Sequence, residues 1–470
     1  MIVPNRAQTA NLAGFLPIGV MLATIGLEYT GSDLFALVAG AFALATTAVF
    51  VPKVTLSRLC FVAIGLVLVA WAGLSRPDWI QATMTAAERG AMVISLFTAL
   101  SAMRNAAMSS TAILECGRFL ARQPPGLRYT ALTTGGHLFG LVLLYGSISL
   151  LGSLATEGVA KEPDPVVRQH RVRRIMIAIQ RGFASTLCWS PLGFSMGITI
   201  AIVPGASWPE VVIPCMISAV LIMAVGWALD TIFKPRLATP PLPRAPETGR
   251  WLSKLRPLLL LLGVVLSGVL FLHLLTGVEV IGAVMSLVPV VAMVWIGLQP
   301  RPAGLGRIAS VGSRIMQFVT IELPAFRGEI VLLFMAGFIG SLGSVLLVPL
   351  VQAQGLDLNG TPPLLILVAM VWLVPLFGQL GMNPILAVSL IVPLLPSSQE
   401  MGISPVVLVT AITGGWALSS VTSPFTASVL ISATLGRVSA RQAGIGWNGI
   451  YTLVMGSILS LWVLVLAAVL

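Results

Sequence analysis

Four apolar runs of the sequence are interrupted by residues that could bind an ion or a small molecule. Proline removes a backbone hydrogen bond inside a helix, and glycine lets another backbone approach closely. In hydrocarbon, such non-helical backbone persists only where it is buried in protein or lines a cavity. Freed amides attract anionic groups, while carbonyl, Ser, Thr and Asn oxygens can hold Na⁺. The candidate binding residues are Thr133, Thr134, Gly135, Gly136 and His137; Ser190 and Pro191; Gly381, Asn383 and Pro384; and Thr422, Ser423, Pro424 and Thr426.

Arg181 is the most informative charge, because it lies within an apolar run, nine residues before Ser190. This spacing is about 13 Å along a helix. One interpretation makes Arg181 the counter-charge of a carboxylate or another anion. The other is structural: the side chain snorkels to the interface or pairs with an acid of a neighbouring helix. His137 is open in the same way, as a proton relay or substrate donor, or as a packing residue.

The composition decides the class of protein. The 470 residues are 57% hydrophobic and 9% charged, with a mean hydropathy of +0.98, whereas soluble chains carry about 25% charged residues. Runs of about 17–25 apolar residues predict membrane-spanning helices, and the alternation typical of membrane β-barrels is missing. We therefore predict an all-α polytopic membrane protein with about 11 transmembrane helices.

Charged and metal-binding residue types exclude several other functions. The net charge of +11 comes from basic residues in loops, as the positive-inside rule requires, so no nucleic-acid partner is expected. The four cysteines have no metal-binding spacing, and no metal or cofactor is expected beyond Na⁺ as a coupling ion. Clustered Asp, His or Arg typical of a membrane-embedded enzyme are absent from the pattern, which predicts no catalytic residues.

The apolar runs predict the helices and four domains. Helices are expected at 10–28, 33–52, 58–74, 88–104, 110–122, 127–155, 172–204, 208–233, 258–275, 278–297, 329–353, 362–397, 403–436 and 445–469. Breaks are expected at Thr133–His137, Trp189–Phe194, Gly378–Pro384 and Ser420–Thr426. The predicted domains are an N-terminal helix (1–32), a first repeat (33–233), a basic cytoplasmic linker (234–257) and a second repeat (258–470).

An internal repeat supports this division. Ala178–Pro191 aligns without gaps with Ala411–Pro424 in the second half of the chain, although chance identity in Ala/Gly/Ser-rich helices is the alternative. If 127–155 and 362–397 are re-entrant hairpins and the N-terminus is cytoplasmic, 22 of the 27 basic residues fall in cytoplasmic loops. An odd number of membrane crossings then separates the start of the first repeat from the start of the second. The second five-helix repeat is therefore inverted relative to the first. We expect the protein to lie in the inner membrane.

This layout resembles the ion transporter superfamily, which includes divalent anion/sodium symporters and citrate transporters. Gly381–Ser389 looks like the second hairpin tip of that group, and Ser423–Ile431 resembles the broken helix that follows it. The Ser-Asn-Thr signature of the sodium/dicarboxylate members is present at neither tip. The resemblance implies a scaffold domain and a mobile transport domain, an elevator-type movement and a homodimer in membrane lipid.

The expected function is secondary transport of a small anionic substrate of the carboxylate type, coupled to Na⁺ or H⁺. Oxygen ligands would come from Thr134, Ser190, Asn383 and Ser423. Alternatives are a cation/proton antiporter or an arsenite-type exporter on the same scaffold. Two further alternatives are a membrane-embedded lipid-modifying enzyme and a structural membrane subunit.

Overall fold

The computed structural model describes residues 12–124, 126–157, 159, 162–233, 250–300, 306–353 and 360–470. Eleven helical segments of this part of the chain are long and apolar enough to cross a membrane. The predicted all-α, multi-pass membrane fold is therefore confirmed. The predictions for residues 1–11, Lys161, most of the basic linker (234–249), Arg301 and 354–359 lie outside the described residues.

Twenty α-helices make up the described chain. They are α1 Phe15–Thr30, α2 Asp33–Phe50, α3 Leu56–Ser75, α4 Trp79–Met108, α5 Thr111–Ala121, α6 Arg128–Leu143, α7 Gly146–Glu157, α8 Pro165–Trp189, α9 Phe194–Ile202, α10 Trp208–Ile232, α11 Trp251–Thr276, α12 Val280–Leu298, α13 Arg307–Gln317, α14 Leu323–Ala325, α15 Arg327–Ala353, α16 Pro363–Gln379, α17 Pro384–Ile391, α18 Pro405–Thr422, α19 Ala427–Gly436 and α20 Trp447–Val469. A π-helical turn, Phe318–Glu322, joins α13 to α14, and a second, Gln442–Gly446, leads into α20.

The helices form two structural units. The first unit comprises Met1–Ser110 and Val265–Leu350, and the second comprises Thr111–Val264 and Val351–Leu470. Each unit thus combines a segment of the N-terminal half with one of the C-terminal half. The predicted boundaries at residues 32, 233 and 257 divide the chain by sequence repeat rather than by contacts, and this division stays a prediction.

The first unit is built around α4, which packs against α1, α2 and α12. The turn between α1 and α2 depends on Gly31, whose φ of +62° is a left-handed conformation that glycine adopts without strain. Its N–H donates to the Leu27 carbonyl at 2.7 Å, which closes the last turn of α1. The chain reverses within two residues, so α1 and α2 form a tight antiparallel pair.

Two elements of the first unit differ from the prediction. Helix α4 extends beyond the predicted 88–104 at both ends, and at its C-terminal end Arg104 does not end the helix, because its guanidinium lies 5.2 Å from the Phe326 ring centroid. No helix was predicted between 297 and 329, where the structure has α13 and α14. The α13 sequence is too short and too polar for a membrane span, but Ile308, Val311 and Ile315 recur at helical spacing.

The second unit contains two helical hairpins and two broken helices. Hairpin α6–α7 precedes the broken helix α8–α9, and hairpin α16–α17 precedes the broken helix α18–α19. Helix α6 packs against α8, and α16 packs against α18. Three predicted breaks are confirmed, because α8, α16 and α18 end at Trp189, Gln379 and Thr422.

The predicted break at Thr133–His137 is wrong. Helix α6 runs without interruption through these residues, and its hairpin turns at Leu144, which has a φ of +51°. Gly136 and its neighbours allow close packing rather than a break: a Cβ atom at Gly136 would collide with the Ile179 carbonyl of α8. Glycines that mark a break and glycines that accept a neighbouring helix look alike in sequence.

Candidate functional site at two helix breaks

Ser190 and Ser423 end α8 and α18 with the same backbone geometry. Their φ and ψ angles are −69° and 125° at Ser190, and −67° and 122° at Ser423. Each Oγ accepts a hydrogen bond from the backbone N–H two residues later, at 3.1 Å from Leu192 and 3.3 Å from Phe425. The two serines are aligned in the sequence repeat, so that repeat is also a repeat of local structure.

The two broken helices also approach their hairpins in the same way. A Cβ atom at Gly182 of α8 would collide with the Thr133 carbonyl of α6. At Gly415 of α18, the repeat counterpart of Gly182, it would lie 2.7 Å from the Met370 carbonyl oxygen of α16. Only glycine permits backbones to lie this close. Each hairpin is therefore fixed against the broken helix that follows it.

The first break presents the N-terminus of a half-helix with a free hydroxyl. Gly193 precedes α9 and has no side chain to cap it. Ser195, the second residue of α9, is fully buried, and its Oγ has no hydrogen-bond partner among the described residues. Helix N-termini carry partial positive charge and unpaired N–H groups, which favour anions. A buried hydroxyl without a partner is costly unless a ligand occupies it.

The second break is satisfied by the chain itself. Ser428, the repeat counterpart of Ser195, donates to the Ser420 carbonyl. Thr426 Oγ1 donates to the Ser423 carbonyl at 2.9 Å. Ser423 Oγ donates to the Gly378 carbonyl at 2.6 Å, which ties the end of α18 to the second hairpin. The two breaks thus share a backbone geometry but differ in how their polar groups are used.

The second hairpin tip contains Gly381, Asn383 and Pro384. Gly381 has a φ of +87°, which requires glycine, and Asn383 caps α17 by accepting the Ile385 N–H at 2.9 Å. The Asn383 side-chain oxygen is therefore already engaged. The Phe425 ring lies close to Gly381, so the tip is adjacent to the second break.

His137 lies on α6, next to the end of α8. Its Nδ1 is 2.7 Å from Ser185 Oγ, and its ring stacks on Trp189 with centroids 5.9 Å apart. Ser185 Oγ donates to the Gly182 carbonyl at 2.7 Å, so its lone pairs are left to accept a hydrogen bond from the Nδ1–H of His137. Thr133 is buried and Thr134 is half-buried.

Arg181 is buried, with 5% of its surface exposed. Its Nε donates to Asn448 Oδ1 at 3.1 Å, and Nη1 lies 3.3 Å from the Tyr129 hydroxyl and 3.4 Å from the Gly226 carbonyl. Its guanidinium carbon is 3.9 Å from the centroid of the Tyr451 ring. No Asp or Glu in the described part of the chain forms an ion pair with it. The acidic partner of the structural interpretation is therefore not found there, and the counter-charge role stays a prediction.

The structure brings the predicted residues together in two groups. Ser190 and Pro191 lie at the first break with His137 nearby, while Gly381, Thr422, Ser423, Pro424 and Thr426 lie around the second break and the second hairpin tip. Sequence reasoning missed Ser195 and Asn448. Ser195 directly follows a predicted break, and Asn448 is a single polar amide near the start of the last apolar run; these signals are too weak to select either residue.

Comparison with known proteins gives similarity of structure only. No protein-family model and no curated protein sequence matches this chain. The YdaH transporter of Alcanivorax borkumensis is 18% identical over 87% of this chain and 97% of its own, with a TM-score of 0.58. MtrF of Neisseria gonorrhoeae, from a class of antimetabolite efflux pumps, is 13% identical over 88% of this chain and 96% of its own, with a TM-score of 0.51. The chain therefore shares its fold with these two membrane transporters.

Proposed function

We propose that the protein is a secondary active transporter of a small organic anion with a carboxylate-type group. The fold shared with two transporters supports transport as the general function. The observation that carries the choice of an anion is Ser195, a buried and unpartnered hydroxyl at the uncapped N-terminus of α9.

In this proposal the first break binds the anionic group. The N-terminal N–H groups of α9 and the Ser195 hydroxyl donate to the carboxylate, and His137 and Ser190 are proposed to complete the polar lining. A carboxylate that leaves water must regain several charge-assisted hydrogen bonds, and a helix N-terminus supplies them without a positively charged side chain. Thr134 and Asn383 on the hairpins, together with Ser423, are proposed to contact the remainder of the substrate.

The mechanism proposed for this carrier follows from the resemblance to the ion transporter superfamily. The second unit, which contains both hairpins and both breaks, is the candidate for the mobile transport domain of an elevator-type movement. We propose a homodimer in the inner membrane with a cytoplasmic N-terminus, and coupling to Na⁺ or H⁺. We propose that Arg181 is a counter-charge to the anion. Unchanged transport kinetics in Arg181→Ala would reject this role.

Antimetabolite export is a second candidate, favoured by the likeness to MtrF over nearly its whole length. Export of this kind would make cells that express the protein grow at antimetabolite concentrations that stop control cells. A cation/proton antiporter or an arsenite-type exporter would instead move its ion in the absence of any organic substrate. A host strain that expresses the protein therefore distinguishes these functions by growth and by ion flux.

The first experiment is thermal stabilisation of the purified protein by a panel of organic anions, with and without Na⁺ and across pH. A ligand that binds only the folded protein must raise the melting temperature. Ser195→Ala should abolish the shift caused by the stabilising anion without destabilising the apo protein, because the hydroxyl has no partner to lose.

Ser428→Ala is the matched control, since Ser428 is the repeat counterpart of Ser195 but donates a hydrogen bond. This variant should lose about 1 kcal/mol of stability and keep the anion-induced shift. If no anion stabilises the protein, or if Ser195→Ala responds to the anion like wild type, the proposed site is wrong.

A further inference from the structure

The C-terminal end of α18 is a place where a membrane carrier could hold a cation. The last carbonyl groups of a helix have no intrahelical partner and carry partial negative charge. In this structure the freed carbonyls of Ser420, Val421 and Ser423 all accept hydrogen bonds from side chains. The donor to Val421 is Asn448 Nδ2, at 3.1 Å.

The donor, Asn448, is itself hydrogen-bonded to a positively charged side chain. Arg181 Nε donates to Asn448 Oδ1, which fixes the orientation of the amide because an arginine can only donate. Asn448 Nδ2 is then directed at the Val421 carbonyl and at Gln180 Oε1, which is 3.2 Å away. Gln180 Nε2 also lies 3.5 Å from the Val421 carbonyl. One amide thus connects the guanidinium to the negative end of α18.

The first break lacks this arrangement, although the positions correspond. When the gapless alignment of the repeat is extended, Asn448 and Gln180 have Cys215 and Thr413 as their counterparts. Cys215 Sγ contacts Thr413 Oγ1 at 3.8 Å, in the place of the amide pair. A thiol is a weak donor. No described side chain donates to the carbonyl of Cys188, the counterpart of Val421.

Only the first repeat has a positively charged residue at the position of Arg181. The difference in side-chain size between the repeats is compensated at a second position on a neighbouring helix. At Gly226, a Cβ atom would lie 3.2 Å from Arg181 Cδ, so this glycine makes room for the arginine. In the same alignment, Arg181 corresponds to Gly414, and Gly226 corresponds to Leu459. There the large residue is on the other helix, with Leu459 Cδ1 3.3 Å from a Cβ atom at Gly414.

We propose that Arg181 acts as a fixed cation at the second break, in place of an alkali ion that would otherwise neutralise the end of α18. This inference deepens the proposed function, because it states that the second break contributes no Na⁺ to coupling. Replacement of the guanidinium by a neutral side chain leaves the Val421 end of α18 without its charge. A small cation from solution then binds there.

The test compares melting temperatures of purified protein in NaCl and in choline chloride at equal ionic strength. Arg181→Gln should show a Na⁺-dependent rise at least about twice that of wild type, because cation binding to the folded state adds stability. Arg181→Lys keeps the charge and should behave like wild type. Arg118→Gln makes the same change of charge at an exposed position of α5, and should leave the Na⁺ effect unchanged.

A second variant covers the case that Arg181→Gln does not fold. The double substitution Arg181→Gly with Gly226→Leu copies the packing of Gly414 and Leu459 and fills the space left by the arginine. It should gain the same Na⁺ dependence. If neither variant folds in choline, recovery of monodisperse protein in Na⁺ alone supports the proposal, and failure in both salts overturns it.

The outcomes separate this inference from the proposed function. A Na⁺ effect in both neutral variants no larger than in wild type overturns the fixed-cation role, whether or not an anion is transported. Conversely, absence of anion transport rejects the carrier function, yet the salt comparison still reports on Arg181. The measurement requires no substrate.

Discussion

The Nε atom of Arg181 donates a hydrogen bond to Oδ1 of Asn448 at 3.1 Å, and this contact joins α8 to α20. The same asparagine reaches the Val421 carbonyl at the end of α18. Three helices of the second unit therefore meet at one buried amide. Removal of this amide should therefore break hydrogen bonds both at the second break and at Arg181.

Asn448→Leu should destabilise the protein strongly. The substitution leaves the Arg181 Nε and the Gln180 Oε1 without this partner in a buried region, and leaves the Val421 carbonyl with only the 3.5 Å contact of Gln180 Nε2. Each buried group that loses its partner costs about 1–3 kcal/mol. Asn383→Ala is a suitable comparison, because it removes only a cap of α17 and should cost about 1 kcal/mol. Equal melting temperatures for the two variants would show that the buried amide is not a structural centre.

Tyr451 allows the ring contact and the hydroxyl contact to be separated. Its ring faces the Arg181 guanidinium, while its hydroxyl donates to the Ile222 carbonyl at 3.1 Å. Tyr451→Phe keeps the ring and should cost about 1 kcal/mol. Tyr451→Leu also loses a desolvated cation–π contact, which adds about 2 kcal/mol. Chemical denaturation in detergent measures both, and identical losses would mean that the ring contact contributes nothing.

Gly182→Ala should disrupt the packing of the first hairpin against α8. The added methyl group meets the Thr133 carbonyl, which is backbone and cannot move aside cheaply. Overpacking of this kind costs about 1–3 kcal/mol. At Gly449 of α20 the same methyl group finds ordinary contact, 3.7 Å from Ile445 Cγ2, so Gly449→Ala should be neutral or stabilising. If both variants melt at the wild-type temperature, close packing of α6 against α8 does not depend on glycine at position 182.

The predicted topology can be tested by labelling of single cysteines in a Cys60→Ala background, since Cys60 is the exposed native thiol and the other three are buried. The topology with a cytoplasmic N-terminus and two re-entrant hairpins places the loop 398–402, which contains Gln399, outside, and places Arg118 on the cytoplasmic side; both positions are exposed and are replaced by cysteine. A membrane-impermeant maleimide should label the first in intact spheroplasts and the second only in inverted vesicles. The reverse pattern would invert the whole topology.

The sequence predicts the broken helices well because proline and serine define them locally. Pro191 and Pro424 cannot continue a helical hydrogen-bond ladder, and Ser190 and Ser423 turn the chain through their own side chains. These effects depend on a few adjacent residues and are therefore visible without a fold.

The remaining features depend on residues distant in sequence. The sequence predicts a break at Gly136 because only the position of Ile179, on another helix, reveals its packing role. Ser428 donates to the Ser420 carbonyl whereas Ser195 has no partner among the described residues, and the role of Asn448 depends on its contacts with Arg181 and Val421. Whether a buried polar group has a hydrogen-bond partner depends on the tertiary structure and cannot be read from one sequence.

The central claim is that the first break carries an organic anion across the membrane. Its most direct test is counterflow in proteoliposomes loaded with the anion that raises the melting temperature, measured for wild type, Ser195→Ala and Ser428→Ala. The account predicts accumulation of labelled anion by wild type and Ser428→Ala, and at least a roughly tenfold lower rate for Ser195→Ala, the loss of about 1.4 kcal/mol of binding energy. Equal rates for all three proteins would contradict the assignment of the site, and no counterflow by wild type would contradict the proposed function itself.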